Sequence, residues 1–195
     1  NKLSQILTVN FQQWSGKKGF QKFASHFYNQ TSYLIDRKVL RDGNSFDLNP
    51  FEDDDNALGL NLNFRNTLFF NRGKQQYTTS YTYLANTARN LVSLGLQTNE
   101  LRSHQVSFLH KIKASYLFNL NTALGTNSNA SENFAQRNYS LETFELNPKI
   151  SYLFDDNTRL EAFYSLGTKE NSLGAFEYLN KQDFGLAFSY SNTEK

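Results

Sequence analysis

At 195 residues the chain is long enough for one β domain or for part of a larger one, and a net charge of +2 implies no partner by charge alone. Hydrophobic residues make up 38% and aromatics 15%, nearly all Phe and Tyr, and no run approaches about 18 apolar residues, which excludes a transmembrane helix. Cysteine is absent, so neither a disulfide framework nor a thiolate metal site exists.

The basic residues form no stripe, which argues against nucleic acid. Methionine is absent and no charged start with an apolar run opens the chain, so it reads as a processed product or an excerpt. The pattern of the chain is two-fold alternation. Leu3 to Trp14 sets Leu7, Val9 and Phe11 against Thr8, Asn10 and Gln12. Successive side chains of a strand point to opposite faces, so this is a strand with one oily side. Residues 15–19 are a short turn, and Phe20 to Ile35 is a second strand with Phe23, Phe27, Tyr33 and Ile35 on one side. A long polar connection, 36–56, carries the acidic run Glu52-Asp53-Asp54-Asp55.

The third strand, Ala57 to Phe70, opposes Leu58, Leu60, Leu62, Phe64, Leu68 and Phe70 to Gly59, Asn61, Asn63, Arg65 and Thr67. Residues 71–74 form a tight turn in which Gly73 suits a positive φ. The fourth strand, Gln75 to Asn86, carries Tyr77, Tyr81 and Tyr83 on one side. Residues 87–99 are a longer link whose Leu91-Val92-Ser93-Leu94 portion could extend the flanking strands. The fifth strand, Glu100 to Ile112, opposes Val106, Phe108 and Ile112 to Gln105, Ser107 and Lys111. After a turn at 113–115, Tyr116, Phe118, Leu120 and Leu124 oppose Asn119, Asn121, Ala123 and Gly125. The connection 126–140 is long and rich in Asn and Ser.

The cleanest stretch runs from Leu141 to Ser191. Phe144, Leu146, Ile150, Tyr152 and Phe154 oppose Glu145, Asn147, Lys149 and Ser151. Leu160, Ala162, Tyr164 and Leu166 oppose Glu161, Ser165 and Gly167. Phe184, Leu186, Phe188 and Tyr190 oppose Gly185, Ala187, Ser189 and Ser191. Residues 155–158 form a tight polar turn and 169–181 a longer link. Strands oily on one side, joined alternately by short turns and long loops, mark a transmembrane β-barrel. A barrel with a polar lumen needs only one apolar side per strand, which accounts for a mean hydropathy of -0.62.

The expected fold is therefore all-β, an antiparallel up-and-down transmembrane β-barrel. About nine strands are seen, and residues 1–195 form a segment of a larger barrel, incomplete at one or both ends. An odd count and a first strand that starts at the outer end support that expectation. Turns 15–19, 71–74, 113–115 and 155–158 fall on the periplasmic side, and connections 36–56, 87–99, 126–140 and 169–181 fall outside. Phe144, Leu146, Ile150, Leu160, Tyr164, Leu186 and Phe188 are the lipid-facing candidates. Arg65, Lys111, Glu145, Lys149 and Glu161 are the lumen-facing candidates, as cross-strand ion pairs or as a pore lining. Trp14, Phe70, Tyr77, Tyr116 and Phe154 suit an interfacial girdle.

Catalytic and metal chemistry find little support. His104 and His110 share a face but lie about 20 Å apart along the strand, too far for one metal. The Glu52–Asp55 run lacks the spacing of a calcium loop. Nothing selects a serine, histidine and acid together. No catalytic, cofactor-binding or metal residue is expected.

From Asn66 onward the chain resembles a family of large outer-membrane proteins of the Bacteroidota whose C-terminal portion is a β-barrel. The residues that carry the resemblance are Phe69-Phe70-Asn71-Arg72-Gly73, Leu101-Arg102-Ser103-His104-Gln105, Arg137-Asn138-Tyr139-Ser140 and the run Phe144 to Tyr152. It covers roughly two thirds of the chain and is specific for family, weak for function. It implies a barrel continuing past Lys195 and soluble periplasmic domains before Asn1. The expected function is a non-enzymatic outer-membrane barrel, acting as a transporter or pore or as a membrane-anchored subunit of an envelope assembly. Its partners would be outer-membrane lipid and other envelope proteins in a complex, with no nucleic acid. The alternative is a soluble periplasmic or secreted module of β-sandwich or adhesin type.

Overall fold

The computed structural model describes residues 2–12, 27–39, 57–71, 76–93, 95–113, 115–155, 157–173 and 177–191. They form one antiparallel sheet in which every strand pairs only with its neighbours in sequence. The strands are β1 (Lys2–Gln12), β2 (Phe27–Val39), β3 (Ala57–Phe70), β4 (Tyr77–Val92), β5 (Gly95–Lys111), β6 (Tyr116–Ser131), β7 (Tyr139–Leu153), β8 (Thr158–Asn171) and β9 (Glu177–Tyr190). The helical content of the described residues is one 3-10 turn, Ala135–Arg137. The all-β, antiparallel, up-and-down order expected from the alternation is the observed one.

Register follows from the oily stripe. Directly opposed residues lie on the same face, and a slip by one would exchange the faces. Phe118 lies opposite Ile150, which lies opposite Ala162, which lies opposite Leu186. Asn121 lies opposite Asn147, and Ser107 opposite Asn121. One face thus stays apolar and the other polar across the sheet.

The strands run further than their alternation. β4 and β5 pair as far as Val92 with Gly95, and β6 continues to Ser131. The expected connection 87–99 is therefore mostly hairpin. The connections expected at 126–140 and 169–181 shrink to residues 132–138 and 172–176. The physical reason lies in the side chains there. Thr98, Glu100 and Arg102 alternate with Gln97, Asn99 and Leu101, so both faces are largely polar and the period disappears. Backbone ladders need no apolar side chain, and the strands persist on hydrogen bonds. Positive φ occurs at Asn71 (56°) and Gly95 (101°). Asn is the residue type other than Gly that enters this region most readily. Gly73, residues 20–26, the turn 15–19, Trp14 and residues 40–56 lie outside the described residues.

The sheet is open, with β1 and β9 as its edges. The Ser191 amide donates to the Asn157 carbonyl at 2.9 Å, which fixes the phase of the β8–β9 ladder. Hydrogen-bonded pairs alternate along an antiparallel ladder. Phe184, Leu186, Phe188 and Tyr190 therefore turn their backbone N–H and C=O groups to the outer edge.

Burial is inverted relative to a water-soluble sheet. The buried polar side chains within the strands, Ser151 (1% exposed), Thr67, Thr82 and Asn129, all sit on the polar face. The apolar face carries the most exposed large hydrophobics, Phe184 at 89% and Leu186 at 79%. Leu101, Leu109, Phe163 and Leu179 are exposed on the polar face and interrupt the pattern.

Candidate functional site

The apolar face has two aromatic zones. Near the short turns, Phe70 and Tyr77 rings lie 6.1 Å apart and Tyr77 meets His110 edge-on at 6.4 Å. Tyr116 lies 4.7 Å from Tyr152, which lies 4.5 Å from Phe154. Register generates this belt, since Tyr116 is opposite Tyr152 and Tyr77 opposite His110. Four of the five expected girdle residues lie in it; Trp14 is outside the described residues. The second zone is nearer the other end. There Tyr83 stacks 4.9 Å from His104, and His104 Nδ1 is 2.7 Å from the Tyr81 hydroxyl. His104 and His110 share the face, as their spacing required. Among the described residues no group of His, Asp and Glu could hold a metal ion.

All seven lipid-facing candidates lie on this apolar face. On β7 it presents Phe144, Leu146 and Ile150. Leu160 lies opposite Phe188, and Tyr164 opposite Phe184, whose strand neighbour two residues on is Leu186.

The five lumen-facing candidates lie together on the polar face, in three different settings. Lys149 and Glu161 meet, with Nζ donating to Oε2 at 3.1 Å. Arg159 pairs with the other oxygen of Glu161. The buried Ser151 hydroxyl donates to that oxygen at 3.0 Å and accepts from Arg159 Nη2 at 3.1 Å. Arg159 and Ser151 complete a network that the charged pair alone did not reveal. The alternation did carry a signal, because Arg159, two residues before Glu161, shares its face. Arg159 Nε is buried without a hydrogen-bond partner. Lys111 stands apart and exposed, in the same cross-strand row as Ser151 but two strands away, about 10 Å.

Arg65 and Glu145 occupy the third setting. Both line a polar trough of about 390 Å³ that crosses from β3 to β7. Between them its wall is neutral, with Thr82, Gln105, Ser107, Asn121 and Asn147. Thr82 is tied to Thr67, hydroxyl to hydroxyl at 3.0 Å. Ser107 donates to Asn121 Oδ1 at 2.7 Å, and Ser165 donates to Asn147 Oδ1 at 2.6 Å. Each amide thereby spends its carbonyl oxygen on a neighbouring hydroxyl. A second hollow of about 370 Å³ adjoins Arg65, with Leu34, Leu84 and Leu101 in its wall. The uncharged lining was invisible in the sequence because it is assembled from strands β4 to β7. Only the register places Gln105, Ala123 and Glu145 in one row.

This arrangement presents hydrogen-bonding groups and isolated charges to a polar solute. Comparison with family models, with curated proteins and with solved structures finds no match.

Proposed function

We propose that this chain is part of the wall of an outer-membrane β-barrel, non-enzymatic, with the apolar face toward lipid and the polar face toward an aqueous lumen. It would serve as a transporter or pore, or as the membrane anchor of an envelope assembly. The observation that carries this reading is the inverted burial. Exposing Leu124, Ile150 and Leu160, inside the sheet, to water at 56%, 43% and 38% would leave an unfavourable apolar surface, whereas lipid accommodates it. Contiguous apolar patches of that kind mark membrane or protein contacts. Dimensions support the same reading. From Phe144 to Phe154 the apolar stripe of β7 runs about 34 Å along the strand, and a tilt of 35–45° gives it a height of about 24–28 Å. The aromatic belt at the short-turn end suits the headgroup level.

The test is solubility behaviour of the full-length protein. A barrel is expected in the membrane fraction, resistant to carbonate or urea washing and monodisperse only in detergent. A monodisperse protein without detergent would overturn the reading in favour of a soluble sandwich or adhesin module, whose second layer would then cover the apolar face.

A further inference from the structure

We infer that the trough between Arg65 and Glu145 binds short, unblocked peptides, with the peptide carboxylate on Arg65 and its amino terminus on Glu145. The inference deepens the barrel reading and rests on it, because it takes the polar face as the lumen.

Charge is the first observation. Elsewhere on this face Lys149–Glu161–Arg159 and Lys181–Asp183 are paired locally, and Lys111 stands apart but outside the trough. Among the described residues Arg65 and Glu145 have no ion-pair partner, although both line one cavity. Unpaired opposite charges separated by a neutral polar wall match a ligand with an anion at one end and a cation at the other. The guanidinium fork suits a carboxylate in particular. An uncharged polyol would use the wall and leave both charges idle.

Length is the second. Arg65 on β3 and Glu145 on β7 are four strand spacings apart, about 19 Å along the sheet. An extended chain spans about 3.3–3.6 Å per residue, so a peptide of about four to six residues reaches from one charge to the other.

The wall is the third. Asn121 and Asn147 line the trough and spend their carbonyl oxygens on Ser107 and Ser165, so what each amide has to offer a ligand is its N–H donors. Peptide carbonyls are the complementary acceptors. The aliphatic hollow of Leu34, Leu84 and Leu101 lies beside Arg65, where the side chain of a C-terminal residue would sit. The site thus favours a peptide ending in an aliphatic residue.

The experiment uses the full-length protein, in the medium in which it is monodisperse, and the peptide Ala-Ala-Ala-Ala-Leu with calorimetric detection. Amidating the peptide's carboxylate is expected to weaken binding to the wild type about tenfold and to leave binding to Arg65→Gln unchanged. Acetylating its amino terminus is expected to do the same for the wild type and to leave Glu145→Gln unchanged. Replacing the terminal Leu by Gly should also weaken binding. The capped peptides need no variant, so the result stands even if a substitution disturbs folding. Equal affinity for capped and free peptides, no peptide binding at all, or equal competition by maltopentaose would each overturn the inference. Its failure is separable from failure of the barrel reading. Peptide binding by a detergent-independent protein would sink the barrel and leave the site. A detergent-dependent protein that ignores the peptides would sink the site and leave the barrel.

Discussion

Leu186 and Ser189 lie three residues apart on β9 and on opposite faces, since Leu186 is paired with Ala162 and Ser189 with Arg159. In the barrel reading Leu186 faces lipid, which tolerates Leu and expels Arg, while Ser189 faces a watery lumen that is indifferent to the change. In the full-length protein, Leu186→Arg is expected to cost about 2–4 kcal/mol of stability in bilayers. Ser189→Arg is expected to cost far less, and equal losses in reversible unfolding would rule out the assignment of faces. Asp155 offers a second test at this scale. It is exposed in the β7–β8 turn, and the backbone N–H of Asn157 donates to its Oδ1 at 2.9 Å. That bond, with help from the Thr158 hydroxyl, lowers its pKa below the ordinary 3.8. A depressed carboxyl pKa stabilises the folded turn above the unfolded value, and the contribution disappears as pH falls through the folded one. The side-chain resonance of Asp155 is therefore expected to titrate with a midpoint below 3.8. A midpoint at or above that value would remove the Asn157 bond from the account of the turn.

At the scale of the element, β3 was fully legible. Its expected span, Ala57 to Phe70, is the observed one, because large apolar and small polar residues alternate to both ends. β5 was legible from Glu100 onward, and its first turn-side residues were not. Val106 and Phe108 announce the strand, whereas Gln97 to Asn99 offer polar side chains to both faces and read as loop. β9 shows the same effect, with Glu177 to Asp183 paired to β8 although little alternation announces them. The trough was illegible for a different reason. Its members are separated by a strand and a turn at each step, and pairing them needs a register fixed to the residue. The β3–β4 pair gives a test of the polar face as a tied unit. Thr67 and Thr82 are buried, directly opposed, and bonded through their hydroxyls. Either single change to Val leaves one buried hydroxyl without its partner and is expected to cost about 1–3 kcal/mol. The double change should be nearly neutral. Additive losses in the double variant would mean that the two hydroxyls bond elsewhere.

For the whole molecule, the two ends of the sheet carry different loads. The 71–76, 112–115 and 154–157 ends sit beside the aromatic belt, and the 132–138 end lies beyond strands whose faces are polar on both sides. In the barrel reading the first group lies in the periplasm and the second outside. A cysteine at Gln136, exposed in the 3-10 turn, is then expected to react with a membrane-impermeant reagent on intact cells. One at Asn157 should react only after the outer membrane is opened. The reverse pattern would invert the topology, and reaction at both positions would favour a secreted domain. Function was less legible than fold. The individual charges could be assigned to one face from the sequence, but their division into a paired cluster, two charges lining the trough and a lone Lys111 could not.

Neighbour-only pairing has a consequence for how such a sheet can be inherited. Each hairpin is a self-contained tile, with its own turn, its own oily side and its own register. Copying or losing one hairpin changes the sheet by two strands, keeps every remaining pair intact and leaves each face and each end where it was. Removing a single strand instead reverses the direction of everything that follows. Changes in strand number are therefore easiest in steps of two. A site written across β3 to β7 spans several tiles, so it would be broken by a tile inserted between its ends and indifferent to one added beside β1 or β9.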